Sequence, residues 1–226
     1  MRHTDREYEQ ELQELRDAIL LMGARVEEMT KRALDSFARH DVALAQATIA
    51  QDVEIDRLEM DIDDRCVRVL ARRQPVASDL RFVTTTLKMV TDLERMGDLA
   101  VNVCERVLDL DIDSLKPVRA SLVQMGEVVS DMLHEVLDAF IQGDAARAER
   151  VIQRDSVVDS IYARIFPELL GHMIQDPQTV STAQRLQSVA KYLERVADHA
   201  TNIGEMVVFM VRGEDKRHAQ KIKGFR

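Results

Sequence analysis

Turn-forming residues are scarce in this chain, with eight glycines and four prolines among 226 residues. That is about one position in twenty, where roughly one in eight is ordinary. Few turns are available, so the elements must be few and long. Tryptophan is absent, and tyrosine and phenylalanine number three and six. The longest uncharged run is the ten residues 42–51, well short of the roughly 18 that a spanning helix needs. The N-terminus, MRHTDREYEQ, carries acids and has no apolar core, so no secretory signal is visible and a cytoplasmic location is expected. An excess of basic charge is missing too. The formal net charge of −9 excludes a protein that coats duplex nucleic acid, which needs a basic face. The only two cysteines, Cys66 and Cys104, suit a reducing compartment and are expected to pack as small apolar groups rather than to bridge.

What remains is a helix-forming composition. Hydrophobic residues make up 46% of the chain and charged residues 31%, enough for a sizeable core and a solvated surface. Long stretches consist of Leu, Ala, Glu, Arg, Met and Gln, which lose least in a helix. From Leu12 the residues Leu15, Ile19, Met22, Val26, Met29 and Ala33 follow at steps of three and four, the spacing that keeps one helical face apolar. The pattern predicts one helix over roughly 5–39 and a second over 42–73, ended by Gln74-Pro75. A third, capped by Ser78 or Asp79, runs to the acidic stretch 109–114. After Lys116-Pro117 the pattern restarts, with helices at about 118–142, 144–175 and 178–212 separated by Gly143 and by Asp176-Pro177. Pro167 falls inside the fifth, where it should kink or interrupt the backbone ladder.

The second half repeats the first. Residues 93–105, LERMGDLAVNVCE, and 193–205, LERVADHATNIGE, agree at seven of thirteen positions with an offset of 100. Upstream the offset is 103, pairing Leu34 with Leu137, Phe37 with Phe140, Asp41 with Asp144, Asp52 with Asp155 and Asp56 with Asp159. The expected fold is therefore all-α, with two tandem, pseudo-symmetric antiparallel three-helix bundles over 1–113 and 114–213, followed by a basic tail over 214–226.

The repeat carries carboxylates with it. Glu94 and Asp98 stand four apart with Asn102 a turn beyond, and Glu194, Asp198 and Asn202 reproduce the set. Residues four apart share a helix face, so each set is a ladder of oxygen ligands. The heptad through Val83, Leu87 and Val90 lands on Glu94 and Gly97 before resuming at Val101 and Cys104, which puts a carboxylate and a glycine in an apolar seam. A second ladder, Asp52 and Asp56 with Glu59 seven beyond Asp52, recurs as Asp155 and Asp159, with Tyr162 in place of Glu59. If the second and third helices of a unit are neighbours, four or more carboxylate oxygens converge. Such a set suits magnesium, manganese, calcium or ferric iron better than zinc. The alternative is a polar layer that fixes helix register.

Other chemistry finds no support. No histidine follows a glutamate by three residues, as a ferritin-like di-iron site requires. Gly-rich phosphate loops, Gly-x-Ser-x-Gly and a Cys-His-Asn set are lacking, and His40-Asp41 and Asp198-His199 are isolated neighbours. Asp61, Asp63 and Asp64 are expected to be solvated surface, as is the cationic turn around Arg72, Arg73 and Arg81. A carboxylate-bundle protein for metal storage or metal-dependent hydrolysis stands as the alternative function, and an inert scaffold as a third.

The duplicated unit, the paired Leu-Glu-Arg-x-x-Asp elements at 93–98 and 193–198, and the stretch CVRVLARRQPVASDLR at 66–81 resemble the PhoU family of phosphate-signalling regulators over nearly the whole chain. The resemblance implies a cytoplasmic, non-enzymatic, homodimeric negative regulator. Such a protein links a phosphate-specific ABC transporter to a sensor histidine kinase and meets the membrane only through those partners. It further implies bound metal, as multinuclear iron or another metal cluster, at Asp52, Asp56, Glu94, Asp98, Asp155, Asp159, Glu194 and Asp198; the spacing itself adds Glu59, Asn102 and Asn202 as candidate ligands, and the oxygen chemistry manganese or magnesium as candidate ions. Ala197 stands where the family's glycine usually precedes the motif's Asp, which implies a tighter or empty second site.

Overall fold

The three-and-four spacing from Leu12 onward is realised as α1 (Arg2–Arg39), whose Leu15, Ile19, Met22, Val26 and Met29 are buried. The computed structural model describes residues 2–110 and 115–213, with side chains from residue 6. Its helices continue as α2 (Val42–Ile49), α3 (Asp52–Arg73), α4 (Ala77–Leu108), α5 (Lys116–Gln142), α6 (Ala145–Gln175) and α7 (Val180–Arg212), with a single 3-10 turn at Pro177–Thr179. Among the described residues there is no strand. Helices α1 to α4 pack together as one bundle and α5 to α7 as the other. The offset of 103 carries over to the cores, where Ile19, Met22, Val26 and Met29 and their counterparts Leu122, Met125, Val129 and Met132 are all buried. Each such side chain is worth about 1.5–3 kcal/mol relative to exposure.

The first two helices of each bundle are joined in the same way. In the first repeat His40 ends α1 with φ 53, and Asp41 caps α2 by accepting from the Leu44 N–H at 2.9 Å. In the second, Gly143 with φ 62 and Asp144, accepting from the Arg147 N–H, do the same. Glycine adopts that left-handed conformation without strain. His40 does not, and its ring Nε2 lies 3.0 Å from the Leu110 carbonyl, which ties the corner to the end of α4.

Two expectations are corrected and a third is narrowed. The single helix over 42–73 is broken at residues 50–51, whereas its counterpart α6 is continuous. There the backbone passes through i−3 bonds, Gln51 N–H to the Thr48 carbonyl and Glu54 N–H to the Gln51 carbonyl, beside a Thr48 hydroxyl that donates to the Leu44 carbonyl and receives Arg32 Nε; the aligned residue in α6 is Val151. Neither Ser78 nor Asp79 caps α4, which starts at Ala77 behind Val76 without a side-chain cap. The Asp79 carboxylate instead accepts from the Tyr8 hydroxyl at 2.8 Å. Pro167 does not interrupt the fifth helix, since α6 runs through it; the residue is exposed, so the missing N–H lies on the solvent side.

The bundles meet through α1 against α5 and α4 against α7. A Cβ on Gly23 would lie 2.7 Å from Leu137 Cδ2, and a Cβ on the aligned Gly126 would collide with Leu34. Leu34 and Leu137 are themselves an aligned pair, so each repeat seats one leucine on the other's glycine. No helix among the described residues is long and apolar enough to cross a membrane. The basic tail lies outside the described residues, as does the boundary drawn between repeats at 113–114.

Candidate functional site

Adjacent packing of α3 and α4, and of α6 and α7, brings the two ladders of each repeat face to face. Asp52 opens α3 at the first helical turn, where the helix dipole favours a carboxylate. Gly97, buried on α4, forms the floor opposite: a Cβ there would lie 3.5 Å from Ile55 Cγ2 and 3.9 Å from Asp52 Oδ1. These are ordinary contacts, so a methyl group fits, and alanine at the aligned position 197 does not by itself close the second site. Glu94 has only 16% of its side chain exposed, and Arg95 bridges it and Asp98 at 3.3 and 3.1 Å.

The carboxylates are under mutual strain. Burial, then Asp56 and Asp98, raise the Asp52 carboxyl above its ordinary range. Glu94 is raised by burial and by Asp98, with Arg95 pulling the other way. Glu59 is raised by burial and then by Asp63 and Asp56, so it joins this group. In the second repeat burial, Asp159 and Asp198 push Asp155 from 3.8 to about 6. Glu194 and Asp198 rise chiefly through burial, with Asp159 adding to both and Arg195 opposing. Positive charge near each ladder falls short of neutralising it, which is the condition a bound cation relieves.

The remaining expectations divide. Asn102 is half-buried a turn beyond Asp98. Asn202 turns away from its ladder and donates to Asp92 Oδ1 at 3.3 Å. Tyr162, in place of Glu59, receives Gln187 Nε2 at 3.4 Å. Among the described residues no three carboxylate, imidazole or thiol groups lie close enough to hold one ion as they stand. The donor chemistry fits a hard cation, and its binding would require the facing carboxylates to turn inward. Cys66 and Cys104 are buried free thiols, as expected, and burial pushes them up to about 12 and about 11.

The family model described as PhoU domain matches residues 19–107 and 122–207. The chain belongs to the PhoU family. Its two matched stretches start 103 residues apart and end 100 apart, reproducing the internal offset, and each contains a complete pair of facing ladders. Over 214 residues the chain is 41% identical to a phosphate-specific transport system accessory protein PhoU homolog of Caulobacter vibrioides, covering 94% of this chain and 93% of that one. It is 35% identical over 217 residues to the Escherichia coli PhoU accessory protein, covering 96% and 90%. The crystal structure of PhoU from Pseudomonas aeruginosa superposes with a TM-score of 0.88 at 39% identity, covering 92% of this chain and 100% of that one. The Streptococcus pneumoniae phosphate transport system regulatory protein PhoU gives 0.85 at 33% identity, covering 92% and 98%.

Against this PhoU framework, three features escape pattern reading. Asp63 is half-buried and raised by burial, not solvated; the helical register through Asp56 and Glu59 was the available signal. The cationic turn is a strapped corner, where Arg73 binds both Glu11 oxygens at 2.9 Å and reaches Glu7, and Arg81 donates to the Met210 carbonyl at 3.1 Å. His199 Nδ1 lies 2.6 Å from Asp92 Oδ1, with 17% and 14% of the two side chains exposed. That pair ties α7 to α4 and has no equivalent in the repeat, since the aligned residues are Leu99 and Tyr192.

Proposed function

We propose that this chain is a cytoplasmic, non-enzymatic negative regulator of phosphate uptake and of the phosphate-starvation response. It acts as a homodimer that binds a phosphate-specific ABC transporter and its sensor histidine kinase. Membership of the PhoU family and the relatives' names as accessory proteins of the phosphate-specific transport system support this reading. The observation that carries the mechanism is the duplicated set of facing carboxylates, in which Asp52, Glu94, Asp155 and Glu194 are raised by burial and by neighbouring carboxylates. Asp52, Asp56, Glu94 and Asp98, and Asp155, Asp159, Glu194 and Asp198, would hold iron, manganese or magnesium. A bound cation supplies the positive charge these groups lack. With their repulsion reduced, the ladders let α3 settle against α4 and α6 against α7, giving the surface that a partner reads.

Elemental mass spectrometry on untagged protein purified without chelator tests the site, with the Glu94→Ala, Glu194→Ala double variant beside it. Metal in the parent and its loss in the variant are expected. A phosphate-starvation reporter in cells lacking the chain tests the role: the parent restores repression, and the double variant does so less. Unchanged metal content and unchanged repression in the variant would refute the metal-dependent mechanism, leaving the ladders as a register layer.

A further inference from the structure

The second half of α6 exposes an apolar face. Phe166 is 52% and Ile174 74% exposed, with Leu170 between them and Val180 opposite on α7 also exposed. Between these helices lies a notch of about 270 Å3 lined by Phe166, Met173, Val180, Ala183, Gln184 and Gln187. The first repeat differs here. Val180, Ala183 and Gln187 align with Leu80, Val83 and Leu87, so the α7 wall carries less apolar bulk than its counterpart. Phe166, Gly171 and Gln175 align with Asp63, Arg68 and Arg72, so the α6 wall carries less charge. The second repeat alone thus presents a concave apolar surface that the shared fold does not require.

Two observations say what covers it. Gln187 Oε1, in the notch wall, is buried without a hydrogen-bond partner, a cost that a donor arriving at the notch would remove. Along the same α6–α7 groove, Asp159 and Glu194 stand seven residues beyond Phe166 and Gln187, about 10 Å away at the helical rise, with Asp155 and Asp198 next to them. The four carboxylates outnumber Arg195, the cation beside them, and stay net negative even with one divalent ion, so that end of the groove selects positive charge. We infer that the α6–α7 groove is the docking site for an amphipathic helix of a cytoplasmic component of the phosphate transporter, an apolar side chain filling the notch and a Lys or Arg about two turns away facing the ladder. This rests on the proposed function.

The test is binding of the full chain to the purified phosphate ABC transporter in lipid nanodiscs, for the parent and for Phe166→Glu, Ile174→Glu and the control Val67→Glu. Val67 is exposed on α3 and aligns with Leu170. All three positions are solvent-facing, so unchanged thermal unfolding is expected. The groove variants should lose about tenfold in affinity or more, the control none, and rising salt should weaken the parent. Equal binding by parent and groove variants refutes the groove while the functional reading stands. No binding by the parent removes both. A parent dimer that Phe166→Glu dissolves assigns the notch to a second copy and overturns the inference.

Discussion

Replacing Asp155 with asparagine in protein kept free of metal should stabilise the fold, and the size and pH dependence follow from the site. The carboxyl moves from 3.8 unfolded to about 6 folded because burial, Asp159 and Asp198 disfavour its charge. A folded value above the unfolded one means that the protonated form is favoured by folding. The penalty is therefore small below pH 4, grows between about 4 and 6, and is complete above 6. In full, that interval would correspond to about 3 kcal/mol; because the group is half-exposed, solvent screening reduces it to about 1–1.5 kcal/mol. Asparagine keeps the shape without the charge. Urea unfolding in the presence of chelator should show the variant more stable by that amount at pH 7.5, about 3–5 °C in melting temperature, and by only a few tenths of a kcal/mol near pH 4. Adding the cation that the parent binds should reverse the order. A variant that is no more stable than the parent at pH 7.5 in chelator would show that Asp155 is already compensated, and the reasoning from repelling ladders would fail.

Three further outcomes follow from other parts of the fold. Gly23→Val should destabilise by about 1–3 kcal/mol, since its Cβ meets Leu137, and Leu137→Ala should restore part of the loss in a double-mutant cycle. Asp92→Ala should cost about 2–3 kcal/mol by leaving His199 unpaired between the bundles, read by chemical denaturation near pH 6, whereas the exposed Asp64→Ala should change stability by less than about 0.5 kcal/mol. Tyr8, raised from 10.0 to about 12 by burial and then by its bond to Asp79, should give a late ionisation step in an ultraviolet pH titration. Tyr8→Phe should remove that late step at a cost of about 1 kcal/mol.

The fold was legible because its determinants are local and repeated. Steps of three and four place Leu15 to Met29 on a buried face, and two offsets suffice to reveal the duplication, down to the break between them near the turn. The misses are tertiary. Nothing in the sequence around Thr48 announces the break at residues 50–51, where the backbone passes through i−3 bonds beside the Arg32 side chain arriving from α1. Arg73 and Arg81 read as a solvated cationic turn until α1 and α7 bring Glu11 and the Met210 carbonyl to them. The carboxylates at 52, 56, 94 and 98 were legible as a set because Glu94 interrupts an apolar seam and the pairs recur four apart in both repeats. How their side chains turn was not, since that depends on rotamers that a helical register does not fix.

The differences between the repeats carry the rest of the functional information. Where both copies keep a feature, as with the capping aspartates and the leucine-on-glycine seats, a shared structural reason is sufficient. Where the copies diverge, a shared structural reason is missing. Tyr162 has replaced Glu59 beside the second ladder, which leaves that site with one carboxylate fewer and a hydroxyl that bonds to Gln187. His199 and Asp92 link the bundles on one side of the pseudo-axis only. The α6–α7 groove is apolar where α3 and α4 present Asp63, Leu80 and Leu87. All three departures lie along α7 and the helices it touches. A protein that reports to partners through a fixed orientation needs one end unlike the other, and here the second repeat carries that asymmetry.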